Sequence, residues 1–139
     1  MTDTQKNRKP LVFAAIGAAN TALDFGILFI LKAAGLPAIG ANSVSTGIAF
    51  IFSFIMNRTY TFKSSTGNVR RELILFILVT LFGLWVLQSV VIWLVMPIGI
   101  HIGLTENMAM LVAKLLATGV SLVWNYIMYD RVVFKKSTD

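Results

Sequence analysis

The chain alternates between long apolar runs and short polar stretches, and this alternation predicts its elements. Four runs are almost free of charged side chains, and they cover residues 11–31, 41–56, 73–96 and 107–128. A helix rises about 1.5 Å per residue, so such runs suit the roughly 30 Å hydrocarbon core of a bilayer. Gly- and Pro-containing stretches separate the runs of each pair, over residues 32–40 and from Pro97 onward. The pattern predicts an all-α integral membrane protein with four transmembrane helices and a cytoplasmic loop over residues 57–72.

Two of these runs end in nearly the same phrase. Residues 54–63 read FIMNRTYTFK and residues 126–135 read YIMYDRVVFK. Each phrase closes the second helix of a pair, so we interpret the chain as two helical hairpins in the same orientation. Parallel repeats of this kind often form a binding site between them. A simpler interpretation stays open, because aromatic residues followed by Arg or Lys also anchor the ends of many spans.

Composition and charge support a membrane protein and predict its topology. Only 13% of the residues are charged, whereas a soluble domain has about 25%. Ten Lys or Arg residues lie in the tails and the middle loop, and one, Lys32, lies in the turns on the other side. The ten are Lys6, Arg8, Lys9, Arg58, Lys63, Arg70, Arg71, Arg131, Lys135 and Lys136. The positive-inside rule therefore places both termini and the middle loop in the cytoplasm. Because the net charge of +6 is explained by topology, we expect no nucleic-acid partner.

Polar side chains inside the predicted helices are the candidates for function, because intramembrane charges are rare and costly. Asp24 in the first helix and Lys114 in the fourth fall at similar predicted depth. They could form a structural ion pair between the hairpins, or one of them could bind the phosphate of a ligand.

Helical spacing groups further polar residues on common faces. The faces are Asn20 and Asp24 in the first helix, Ser43, Thr46, Ser53 and Asn57 in the second, and Lys114, Thr118, Ser121 and Asn125 in the fourth. Small residues on such faces are explained by close helix packing. The amides and charges are too polar for that explanation, so they predict a lined cavity.

The sequence offers little for catalysis. Cysteine is absent, and the single histidine, His101, lies in a predicted outer turn. Paired carboxylates on one helix face, a metal-ligand cluster and a Gly-rich phosphate loop are also missing from the sequence. We therefore expect no enzyme activity, no cofactor and no metal site.

Three stretches resemble the GtrA-like family of small four-span membrane proteins. They are FAAIGAANTALDFGILFIL, FSFIMNRTYTFK and AKLLATGVSLVWNYIMYDRVVFK, and the resemblance covers nearly the whole chain as a single domain, 1–139. In the last stretch Asp130 precedes Arg131 where the family usually has a basic or neutral residue. The resemblance implies movement of polyprenyl-phosphate-linked monosaccharides, such as undecaprenyl-phosphate glucose, across the bacterial inner membrane for cell-surface polysaccharide modification. It also implies membrane glycosyltransferases as partners.

The resulting hypothesis is a lipid-linked sugar flippase in the bacterial inner membrane. Its candidate substrate-binding residues are Asn20, Asp24, Asn57, Arg58, Lys114, Ser121, Asn125 and Arg131. Arginines at the cytoplasmic side would bind the lipid phosphate, and amides and hydroxyls would bind the sugar. Because four spans enclose little volume, a homodimer is expected to complete the pathway. Two alternatives remain open: a non-transporting scaffold that recruits a glycosyltransferase, and a small multidrug-type exporter.

Overall fold

The structure of the protein, a computed structural model, describes residues 3–64 and 67–135. Within these ranges the chain forms helices α1 (Asp3–Ala33), α2 (Ala38–Met56), α3 (Val69–Leu81), α4 (Gln88–His101) and α5 (Glu106–Met128). π-helical turns follow α2, α3 and α5, at Asn57–Thr61, Phe82–Leu87 and Tyr129–Val133. Four stretches are long and apolar enough to cross a membrane: Arg8–Ala33, Ala38–Thr61, Val69–His101 and Glu106–Val133. The predicted all-α class with four spans is confirmed, and the described ranges contain no strand.

The chain divides into two compact units, Met1–Thr66 and Gly67–Asp139. In the first unit α1 packs against α2. In the second unit the continuous helix formed by α3, its π-helical turn and α4 packs against α5. Each unit is therefore one helical hairpin. Lys136, which contributes to the predicted charge bias, lies outside the described residues.

Both hairpins reverse direction through the same kind of glycine turn. Gly35 has φ +94° and Gly103 has φ +95°, a left-handed conformation that glycine adopts without steric cost. In each turn the glycine and the following residue, Leu36 or Leu104, donate backbone N–H groups to carbonyls three and five residues back, at 3.0–3.1 Å. This is the Schellman motif, which satisfies carbonyls at the end of a helix.

The returning helix of each hairpin packs through a line of small residues spaced four apart. They are Ala41, Ser45 and Ala49 in α2, and Ala109, Ala113, Ala117 and Ser121 in α5, all at most 3% exposed. Small side chains let neighbouring helices approach closely. The packing is tight at Gly99, where a Cβ atom would lie 2.9 Å from the Cβ of Ala109. Four residues overshoot a full helical turn by about 40°, so this buried face winds around the helix.

The repeated phrase folds in the same way in both units. A five-residue π-helical turn follows α2 and α5. The backbone N–H of Phe62 then donates to the carbonyl of Asn57 at 2.9 Å, and that of Phe134 donates to Tyr129 at 2.8 Å. Both phenylalanine side chains are buried. Residues 57–62 and 129–134 of the phrase therefore form the same element at the end of each hairpin, which buries one phenylalanine, and we call it the closing element.

The third span continues past its predicted end. It was expected to stop at Pro97, but α4 runs through that residue to His101. Proline removes one backbone donor from the helix, and transmembrane helices tolerate this where the freed carbonyl finds another partner. Hydropathy and a proline were not sufficient to locate the end of this helix.

The middle loop is shorter than the predicted 57–72. The π-helical turn ends at Thr61, and α3 begins at Val69. The side chain of Asn68 caps α3, because its Oδ1 accepts the N–H groups of Arg70 at 3.1 Å and Arg71 at 3.3 Å. Glu72, expected in the loop, lies in the first turn of α3 and is only 2% exposed.

Candidate functional site

The first unit places polar side chains at two levels of α1. Thr46 of α2 donates a long hydrogen bond of 3.5 Å to Oδ1 of Asp24, which is half-buried. Asn20 lies one turn before Asp24 on the same helix. Its side-chain oxygen is buried and has no hydrogen-bond partner in the described part of the chain. An unpaired buried acceptor costs about 1–3 kcal/mol, so Asn20 is unusual on energetic grounds.

Asn57, at the other end of this unit, is fully engaged. Its Nδ2 donates to the backbone carbonyl of Ser53 at 2.9 Å and lies 3.3 Å from the Ser53 hydroxyl. Its Oδ1 accepts the hydroxyl of Thr61 at 3.0 Å. Asn57 is 2% exposed. These bonds hold the π-helical turn, which gives Asn57 a structural role in this conformation.

In the second unit, side-chain hydrogen bonds join α5 and the π-helical turn after it to the helix that packs against them, and one of these bonds runs from Nε1 of Trp124 to the carbonyl of Val79 at 3.3 Å. Gln88 donates from Nε2 to the hydroxyl of Ser121 at 3.0 Å. Nearer the C-terminal end of this unit, Thr80 and Tyr129 share a hydrogen bond between their hydroxyls. The Thr80 hydroxyl also donates to the carbonyl of Phe76 at 2.6 Å, so Tyr129 is the donor to Thr80. The rings of Phe76 and Tyr129 stack with centroids 4.5 Å apart.

Along the chain, Asn125 lies between Ser121 and Tyr129, and its side-chain oxygen differs from their hydroxyls in having no partner within the described residues. It is 9% exposed, and its Oδ1 is buried without a hydrogen-bond partner among the described residues. Gly83, in the π-helical turn, lies across from it. A Cβ atom at Gly83 would meet that oxygen at 2.9 Å and the Cδ1 of Trp124 at 3.2 Å. Only glycine leaves room there for the Asn125 amide.

The remaining predicted residues carry charge. Lys114 is exposed on α5, half-buried Arg58 lies in the first π-helical turn, and exposed Arg131 lies in the last. The two turns are seventy-two residues apart, so Arg58 corresponds to Asp130 and not to Arg131. The two closing elements therefore carry opposite charge at equivalent positions. The predicted pairing of Asp24 with Lys114 joins the two units and stays a prediction.

The comparison with known families gives a match over nearly all of this architecture. The family model described as GtrA/DPMS, transmembrane domain, matches residues 12–134. The chain belongs to this family. It is also similar to the uncharacterized membrane protein YngA of Bacillus subtilis (strain 168), with 28% identity over 69 residues. That match spans 50% of this chain and 47% of YngA, about half the length of the relative.

The GtrA/DPMS chain contains site features that sequence patterns did not single out. Gln88 was recognised as a polar residue of the third span but not chosen as a candidate, and Gly83 was missed, because an isolated polar residue or glycine in an apolar helix carries no periodic signal. Counting from the two turn glycines would have found Gln88, since it lies sixty-eight residues after Asn20, as Gly103 does after Gly35. Among the described residues, no group of three or more His, Asp and Glu side chains could hold a metal ion.

Proposed function

We propose that this protein moves a polyprenyl-phosphate-linked monosaccharide, such as undecaprenyl-phosphate glucose, from the inner to the outer leaflet of the bacterial inner membrane. Family membership over residues 12–134 carries the proposal, because it links the chain to polyprenyl-phosphate-sugar membrane biology. The product would serve modification of cell-surface polysaccharides. The role is transport without catalysis, in partnership with membrane glycosyltransferases.

The distribution of polar groups supports a route for such a lipid. Arg58 and Arg131 lie in the π-helical turns at the predicted cytoplasmic ends, and guanidinium groups bind phosphate through paired hydrogen bonds. The amides of Asn20 and Asn125 lie deeper in their spans and have unused acceptors, which suit sugar hydroxyls. The polyprenyl chain needs no polar contact and would remain in the surrounding lipid.

The test is a flipping assay with purified protein in liposomes that contain farnesyl-phosphoryl glucose. Added periodate cleaves the vicinal diols of the sugar, and it reaches only the outer leaflet of sealed vesicles. Protein-free vesicles should protect about half of the lipid, because a symmetric bilayer places half of it inside. Vesicles with the protein should lose that protected fraction.

Protection that stays at the protein-free level would refute the flippase proposal. Co-purification of the chain with a glycosyltransferase, combined with protection at the protein-free level, would support the scaffold alternative. A chain that carries farnesyl-phosphoryl glycerol, whose headgroup also has a vicinal diol, as fast as the glucosylated lipid would transport without sugar recognition, which contradicts the assigned substrate class.

A further inference from the structure

Each unit contains two side-chain amides and one serine at positions related by a common offset in the sequence. In the first unit they are Asn20, Ser53 and Asn57, and in the second they are Gln88, Ser121 and Asn125. The offset is sixty-eight residues in all three cases, the same offset that relates the two turn glycines. Each set has one amide on the outgoing helix, and a serine and an asparagine one turn apart on the returning helix. We call each set an amide–serine–amide triad.

The serine pairs with a different amide in each triad. In the first unit the Ser53 hydroxyl lies 3.3 Å from the amide nitrogen of Asn57, on the same helix. In the second unit the Ser121 hydroxyl accepts from Gln88, on the opposite helix, at 3.0 Å. The side-chain oxygen left without a partner among the described residues is the other amide of each triad, Asn20 or Asn125. The serine is thus bonded within one helix in the first unit and across the hairpin in the second.

The unpaired acceptor is most enclosed at Asn125. Its Oδ1 is buried against Gly83, which belongs to the π-helical turn Phe82–Leu87. π-helical turns inside α-helices are uncommon and are found frequently at functional sites. Because Gly83 has no side chain, a small shift of this turn is enough to admit a ligand atom to the amide oxygen. A hydrogen-bond acceptor without a partner requires a ligand that donates.

We propose that Oδ1 of Asn125 is the acceptor of an intramembrane site for an O–H donor, with Oδ1 of Asn20 as its counterpart in the first unit. The donor is a hydroxyl of the sugar or a water molecule, which share this chemistry. The assignment to a sugar rests on the proposed function, whereas the assignment to water does not.

The test uses the full chain in nanodiscs with Trp124 as an internal reporter. Trp85 and Trp93 are 72% and 74% exposed, so Trp85→Phe and Trp93→Phe should leave the fold intact. Trp124 then reports from beside Gly83, since its Cδ1 would lie 3.2 Å from a Cβ at that position. Its fluorescence is titrated with farnesyl-phosphoryl glucose and, separately, with farnesyl phosphate. The dissociation constant of farnesyl phosphate divided by that of farnesyl-phosphoryl glucose measures what the sugar contributes to binding.

Asn125→Leu should reduce that ratio about threefold to tenfold, the effect of losing one neutral hydrogen bond. Gly83→Ala should act in the same direction, because the new methyl group displaces the amide. Gly99→Ala is the matched control, since its Cβ meets Ala109 at the same 2.9 Å but touches no polar side chain. Gly119→Ala is the neutral control on α5, with nothing within 4 Å of its Cβ.

The second arm detects water without any lipid. Indole emission is compared in H₂O and D₂O, and a water molecule at Asn125 should give an isotope effect that Asn125→Leu lowers. A reduced sugar ratio identifies a sugar hydroxyl as the donor, and a reduced isotope effect alone identifies water. If Asn125→Leu changes neither quantity relative to Gly99→Ala, the site does not exist. If the Trp85→Phe, Trp93→Phe protein with no further change binds both lipids equally, the proposed substrate is wrong. The H₂O and D₂O comparison then still shows whether a water molecule occupies the site at Asn125.

Discussion

Replacing the two equivalent asparagines by leucine should change stability in opposite directions. Leucine has the same branching as asparagine but no polar atoms. Asn57→Leu removes the bonds from Asn57 to Ser53 and from Thr61 to Asn57 and leaves the buried Thr61 hydroxyl without this acceptor. At about 1 kcal/mol for each net hydrogen bond, the expected loss is about 2–3 kcal/mol.

Asn125→Leu removes no hydrogen bond within the described residues and relieves a buried oxygen that has no partner. The relief is about 1–3 kcal/mol, reduced by crowding against Gly83. The free energy of unfolding should therefore be unchanged or higher in Asn125→Leu, and lower in Asn57→Leu. Reversible unfolding of the purified variants in mixed micelles, followed by far-UV circular dichroism, measures both. An Asn125→Leu variant destabilised as much as Asn57→Leu would show that the Asn125 amide is paired in the membrane, which contradicts the basis of the site.

Three further predictions concern topology and charge. A reporter fusion at Gly35 should be external, and fusions in the middle loop and at the C-terminus should be cytoplasmic; the same side for all three would refute the two-hairpin topology. Arg58→Ala should weaken binding of farnesyl phosphate more than Lys63→Ala, because arginine can form two parallel hydrogen bonds to phosphate. Equal losses of affinity in a titration of the two variants would limit Arg58 to a topology role. The double change Asp24→Lys with Lys114→Asp should accumulate in membranes, since it keeps both charges, but should fail in the flipping assay; normal flipping would reduce the two residues to a structural pair.

The hairpins could be predicted from the sequence because the signals for their turns and loops are short local motifs. Glycines, prolines and charges mark the turns and loops, and the repeated phrase marks both closing elements. The ends of the spans were harder to predict, because α4 continues through Pro97 and Glu72 is buried at the start of α3. Hydropathy reports the polarity of a residue, not whether a neighbouring helix covers it.

The four polar residues predicted to share one face of α5 differ in burial along the helix. Ser121 and Asn125 are buried, but Lys114 and Thr118 are exposed, and the predicted cavity stays a prediction. The alanines that form the buried face were not considered, because they differ little from lipid-facing residues in hydropathy. Their four-residue spacing turns the face by about 40° at each step, so a straight stripe cannot follow it.

The two units can be aligned either on their turn glycines or on their closing phrases, and these two alignments have different residue offsets. This difference explains why the two triads have different surroundings. Counted from the turn glycines the offset is sixty-eight residues, but counted from the closing phrases it is seventy-two. The returning helix of the second unit is therefore one turn longer. In the first unit the asparagine of the triad falls inside the π-helical turn, where Thr61 satisfies it. In the second unit Tyr129 takes that place, and Asn125 is left one turn deeper beside Gly83. The added turn thus separates closure of the hairpin from the amide of Asn125, whose oxygen is left without a partner among the described residues, as the proposed ligand site requires.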